Sequence, residues 1–157
     1  MTSKEIKIAY LEYESADQMD PNDRELAEAA IEATKGSYAP YSRFNVGAAV
    51  RLDSGIIIKG SNQENAAYPS GLCAERTAMF YASAAYPGNA IRSIAIVASQ
   101  DGILCDNPAT PCGACRQVMA QYQTKGGQDM SIILVGGKKI WKFEKVDDIL
   151  PLIFDSI

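Results

Sequence analysis

Cys73-Ala74-Glu75-Arg76 and, further along the chain, Pro111-Cys112-Gly113-Ala114-Cys115-Arg116-Gln117 decide how this sequence is read. Cys73 stands where an alanine-rich helix begins, and Cys112 and Cys115 occupy i and i+3 in the first turn of a second helix that Thr110-Pro111 announces. All three thiols are thus expected at helix N-termini, where the positive end of the helix dipole and the free N–H groups favour a thiolate. Three thiolates suit one Zn²⁺ per chain, with the fourth position left to water. Glu75, two residues beyond the first cysteine, is placed to reach that water without being a ligand. Three thiolates exceed the charge of the metal by one, and Arg76 and Arg116 are candidates to offset the excess.

Other readings of the same cysteines stay open on spacing alone. Cys112 and Cys115 could form a dithiol redox pair, and with Cys73 and Cys105 they could close a structural four-cysteine site. Against these stand the position of Cys105 before the turn, outside a helix start, the proline preceding the pair, and the placement of Glu75. Cys105 then reads as a small buried apolar residue.

Outward from this centre, Ser61 to Gly71 is a polar loop feeding the first cysteine helix, Ala74 to Ala85. Ahead of it, Phe44 to Leu52 and Ile56 to Gly60 read as strands joined by the hairpin Asp53-Ser54-Gly55. Tyr38 to Ser42 is a proline-broken loop. A helix opens at Pro21 with Asp20 as its cap and stops near Gly36. Behind the centre, Ile91 to Ala98 and Met130 to Val135 are near-continuous apolar runs, as in strands covered on both faces. Gly136-Gly137 turns into Ile140 to Phe143, and Asp147 to Phe154 reads as a short terminal helix broken at Pro151. The order α-β-β-α-β-α-β-β-α implies an α/β fold, a three-layer α/β/α sandwich with a mixed sheet. Residues 1–22 are expected to be an extension, with Ile6 to Tyr13 as an added edge strand or an ordered arm, and 23–157 a single catalytic domain.

At 157 residues and 47% hydrophobic content the chain suits one domain with a sizeable core. A net charge of −4 disfavours polynucleotides and anionic membranes as partners and suits a small neutral ligand. No apolar run approaches the roughly 18 residues of a membrane span and no export signal is visible, so a cytoplasmic protein with reduced thiols is expected. The chain contains no histidine. That removes Ser-His-Asp and Cys-His hydrolases and His-ligated zinc, and leaves proton transfer to Glu, Asp, Lys, Tyr or Cys.

Five motifs in order resemble the cytidine deaminases of the short-chain, three-cysteine class. They are Ala39-Pro40-Tyr41-Ser42-x-Phe44-x-Val46-Gly47-Ala48-Ala49, Asn62-x-Glu64-Asn65-Ala66-Ala67-Tyr68-Pro69, the two cysteine motifs, and Leu150-Pro151-x-x-Phe154. The resemblance implies zinc on Cys73, Cys112 and Cys115, and Glu75 as the proton carrier. It implies hydrolytic deamination of cytidine and 2′-deoxycytidine in pyrimidine salvage. Asn62 and Glu64 would hold the ribose hydroxyls, Phe44 would pack beside the nucleoside, and the Ala74 N–H would meet the pyrimidine O2. Phe154 and Tyr68 would come from neighbouring subunits of a homotetramer with shared sites. A polar loop carrying Asn62 and Glu64 suits a sugar diol on chemical grounds as well. The chain departs from the family pattern at Asn45, where proline is frequent, and in its extended N-terminus. A modified cytidine or aminonucleoside substrate, and a non-catalytic structural-zinc binding module, are the alternatives.

Overall fold

The computed structural model describes residues 1–155. In chain order the elements are β1 (Leu11–Tyr13), α1 (Pro21–Ala33), β2 (Phe44–Leu52), β3 (Ile57–Ser61), α2 (Ala74–Ala85), β4 (Ile91–Gln100), β5 (Ile103–Leu104), α3 (Gly113–Gly126), β6 (Ser131–Val135) and β7 (Ile140–Phe143). The sheet runs β1-β7-β6-β4-β2-β3, with β5 paired to the end of β4. Only β4 and β6, joined by the crossover that contains α3, are parallel among these pairs.

Strand alternation sorts the core into two layers. Ala48, Val50, Ile94, Ile96, Ile132 and Leu134 face α2 and α3. Their sequence neighbours Ala49, Ala95, Val97, Ile133 and Val135 face α1 on the other side. The central strands are therefore apolar at successive positions, and the expected three-layer mixed sandwich is the observed one. Gly60 fixes how closely α2 seats on the sheet: a Cβ there would lie 2.7 Å from the Ala74 carbonyl oxygen. Since Ala74 opens the helix behind Cys73, this close approach sets the depth of the cysteine site.

The departures from expectation lie at the edges. β1 occupies only Leu11–Tyr13, because its partner β7 is four residues long and offers three register pairs. Asp101 and Gly102 both take positive φ, 50° and 81°, and turn the chain back into β5, a two-residue strand paired with the end of β4. In place of a terminal helix there is a single turn at Val146–Asp148 followed by irregular chain. Among the described residues no helix is long and apolar enough to cross a membrane.

Candidate active site

α2 and α3 pack on the same face of the sheet and bring their N-termini together. Cys73 is the N-cap of α2 and Cys112 the N-cap of α3, neither spending its side chain on a capping bond. Cys115 follows in the first turn of α3. The three sulfurs lie within 4.8 Å of one another. Cys115 is buried, Cys73 half-buried and Cys112 exposed, so the cluster opens on one side. Cys105 is not part of it; its backbone N–H donates to the Ala98 carbonyl just past β5, at the end of the β4–β5 pair away from the turn.

The electrostatics suit a cation. A hydrogen bond from Cys115, helped by Arg76 and Cys112, holds the Cys73 thiol down to about 5. The same contact with Cys73, together with burial, pushes the Cys115 thiol up, so without metal Cys73 is the thiolate end of the pair. Arg76 Nη2 lies 3.6 Å from Cys73 Sγ, which meets the expectation of a compensating charge. Arg116 does something else: Nε donates to the Pro111 carbonyl at 2.8 Å and Nη1 to the Ile149 carbonyl at 2.8 Å. It clasps the turn before Cys112 to the C-terminal segment. Three convergent sulfurs, helix N-termini and one nearby guanidinium fit a thiolate-bound zinc.

Glu75, in the first turn of α2, is only 5% exposed. Burial raises its carboxyl above the usual range, its own backbone N–H works the other way, and the Cys73 thiolate adds to the rise. A carboxyl of raised proton affinity beside a metal site is suited to carrying protons. Ala74 is fully buried ahead of it, and first-turn N–H groups have no intrahelical partner.

Beside the cysteines a cleft of about 550 Å³ is lined by Ser42, Asn62, Glu64, Tyr68, Cys73 and Arg76, among others. Asn62 spends its Oδ1 on Val46 N–H at 2.8 Å and on the Ser37 hydroxyl, and donates Nδ2 to the Phe44 carbonyl at 2.9 Å. One Nδ2 hydrogen remains. Glu64 accepts from Tyr41 N–H at 2.9 Å, from Ser42 N–H at 3.3 Å and from the Ser42 hydroxyl. These donors, the hydroxyl first, hold its carboxyl below the usual range. Phe44 opens β2, half-buried, outside the cleft lining. Tyr68 is 76% exposed and meets Tyr41 edge-on at 6.1 Å. Phe154 is 69% exposed, with its carbonyl bound by Gln117 Nε2 at 2.7 Å. Sequence reasoning gave no role to Ser37 or Ser42. A signal for Ser42 existed in its place two residues before the strand start, where a serine hydroxyl accepts the i+2 N–H.

The fold and the cysteine cluster define an α/β protein with a zinc-binding centre. The family described as the cytidine and deoxycytidylate deaminase zinc-binding region matches residues 20–126, and the chain belongs to it. The cytidine deaminase of Halalkalibacterium halodurans is 48% identical over 96 residues, 61% of this chain and 68% of that protein. That of Mycobacterium tuberculosis is 39% identical over 103 residues, 66% of this chain and 71% of its own length. The crystal structure of cytidine deaminase from Burkholderia pseudomallei superposes with a TM-score of 0.70 at 39% identity, covering 83% of this chain and 97% of that one.

Proposed function

We propose that this chain is a zinc-dependent cytidine deaminase that converts cytidine and 2′-deoxycytidine to the uridine nucleosides with release of ammonia. The observation that carries this reading is the buried Glu75 carboxyl beside the three converging sulfurs. Cys73, Cys112 and Cys115 would hold zinc, which would supply Lewis acidity toward water there. Glu75 takes a proton from the attacking water and delivers it to N3 of the cytosine as the water oxygen adds to C4. It then carries the second proton to the exocyclic nitrogen, and the C4–N bond breaks to give ammonia and the 4-oxo base. Burial of Glu75 favours the proton-loaded state between these transfers.

The Ala74 N–H, at the free end of α2, donates to the pyrimidine O2. Asn62 and Glu64 take the sugar: the remaining Asn62 N–H donates to a hydroxyl oxygen and the Glu64 carboxylate accepts a hydroxyl hydrogen. Phe44, outside the cleft lining in the single chain but tied through its carbonyl to Asn62, is assigned the flank of the nucleoside at the start of β2. Phe154 is supplied to the site of a neighbouring chain in a homotetramer, and Tyr68, which lines the cleft of its own chain, also reaches across that interface. Their exposure in the single chain supports this, since aromatic side chains of that size are enriched at interfaces. Cytidine turnover by the zinc-loaded protein, followed by the ultraviolet change as cytosine becomes uracil, tests the proposal. Conversion of cytidine and 2′-deoxycytidine is expected. No conversion of either by protein carrying one zinc per chain would overturn it.

A further inference from the structure

The loop 37–44 holds the sugar end of the cleft by hydrogen bonds more than by packing, since Tyr41, Ser42 and Arg43 are all exposed. Within it the Ser42 hydroxyl makes two contacts: it accepts from Phe44 N–H at 3.0 Å and donates to Glu64 Oε1. Arg43, between these residues, sits at φ 55°, a conformation side-chain-bearing residues seldom adopt, and its N–H is fixed to the Ala39 carbonyl at 2.9 Å. This kink brings the Ser42 hydroxyl back over the amide of Phe44. Glu64 Oε2 is meanwhile held by the Tyr41 and Ser42 amides. A carboxylate offers about four lone-pair positions, so three donors leave it one further acceptor position while fixing its plane.

We propose that Ser42 is a positioning residue for sugar recognition: its hydroxyl locks the Glu64 carboxylate in the orientation that meets the substrate and ties that orientation to the start of β2 at Phe44. The inference rests on Glu64 receiving a sugar hydroxyl. Without the Ser42 hydroxyl, Oε1 has no donor among the described residues, and the carboxylate is free to turn on its two backbone contacts. The Phe44 amide loses its acceptor at the same time. Chemistry at C4 lies at the other end of the cleft, so the loss falls on binding.

The test is steady-state kinetics of the zinc-loaded Ser42→Ala, Ser42→Thr, Glu64→Ala and double Ser42→Ala/Glu64→Ala proteins with cytidine. Ser42→Ala is expected to raise KM roughly tenfold, the scale of one charge-assisted hydrogen bond, with kcat little changed. Ser42→Thr, which keeps the hydroxyl, restores KM. In the Glu64→Ala background the serine change adds nothing, because residues acting as a unit are non-additive. An unchanged KM in Ser42→Ala, or effects that multiply in the double variant, overturns the proposal while leaving the role of Glu64 intact. A Glu64→Ala protein with normal KM removes the sugar reading of Glu64 and the proposal with it. Should Ser42→Ala not fold, Ser42→Cys, close in size but a weak donor, must show the same KM increase.

Discussion

At the metal end of the cleft, Cys73, Glu75 and Cys115 ride on the first turns of α2 and α3, backed by a core that leaves Cys115 and Glu75 almost without solvent. At the proposed sugar end, Asn62 and Glu64 ride on a loop largely exposed to solvent, and their orientation comes from backbone amides and two serine hydroxyls. The difference matches what each end would do in the proposed reaction. Proton transfer demands a fixed carboxyl in a poorly hydrated place, which burial on a helix provides, whereas a hydroxyl-binding group must stay charged and reachable from solvent. Burial accordingly pushes the Glu75 carboxyl up, and hydrogen bonds hold the Glu64 carboxyl down.

Glu75→Gln breaks the comparison at its strongest point. The substitution keeps shape and burial and removes the proton carrier. kcat for cytidine should fall at least roughly 10²–10⁴-fold, the size of a general acid–base contribution, with zinc content unchanged. Zinc analysis beside kinetics separates lost chemistry from a lost metal, and near-normal turnover would sink the assignment of Glu75.

The two arginines sharpen the comparison within the metal end. Arg76→Met removes the guanidinium from Cys73 Sγ and is expected to weaken zinc binding by about 10–100-fold, as loss of an outer-shell partner does. Arg116→Met removes two hydrogen bonds to backbone carbonyls and should cost about 2 kcal/mol of stability, with a smaller effect on zinc. Competition with a chromophoric chelator and thermal unfolding of both variants measure this. Equal zinc losses in the two would show that the clasp at Pro111, and not local charge, governs the metal.

Much of the metal end was legible in the chain because its determinants are local: the Thr110-Pro111 helix start, the alanine-rich run after Cys73, and the spacing of Cys112 and Cys115. The layers were legible too, since apolar runs at Ile91 to Ala98 and Met130 to Val135 mark strands covered on both sides. What escaped depends on partners far off in sequence. Arg116 was a candidate charge for the cysteines until the fold put the Ile149 carbonyl in its reach. The same contact holds the segment after Val146–Asp148 at its entry into irregular chain, where local pattern suggested a longer helix. Ser37 reaches Asn62 across 25 positions, a link no local pattern carries. The short β1 was limited by the length of β7 rather than by its own strand-forming residues.

The smallest expected effect concerns the sugar end and acid. Because hydrogen bonds lower the Glu64 carboxyl in the folded protein, its contribution to loop order is present above the ordinary carboxyl value of 4.5. It is lost as pH falls through the lower folded value. The Glu64 side-chain carboxyl resonance, observed by carbon NMR in labelled zinc-loaded protein, should therefore titrate below 4.5. The Ser42 hydroxyl is the largest contributor to this lowering, so in Ser42→Ala the midpoint should move up toward 4.5 without reaching it, the Tyr41 and Ser42 amides remaining in place. A midpoint that does not move would mean that the amides alone hold the carboxylate. Glu64 would then be fixed by the backbone of the facing 37–44 loop much as Glu75 is fixed by its helix, and the contrast between the two ends would reduce to burial.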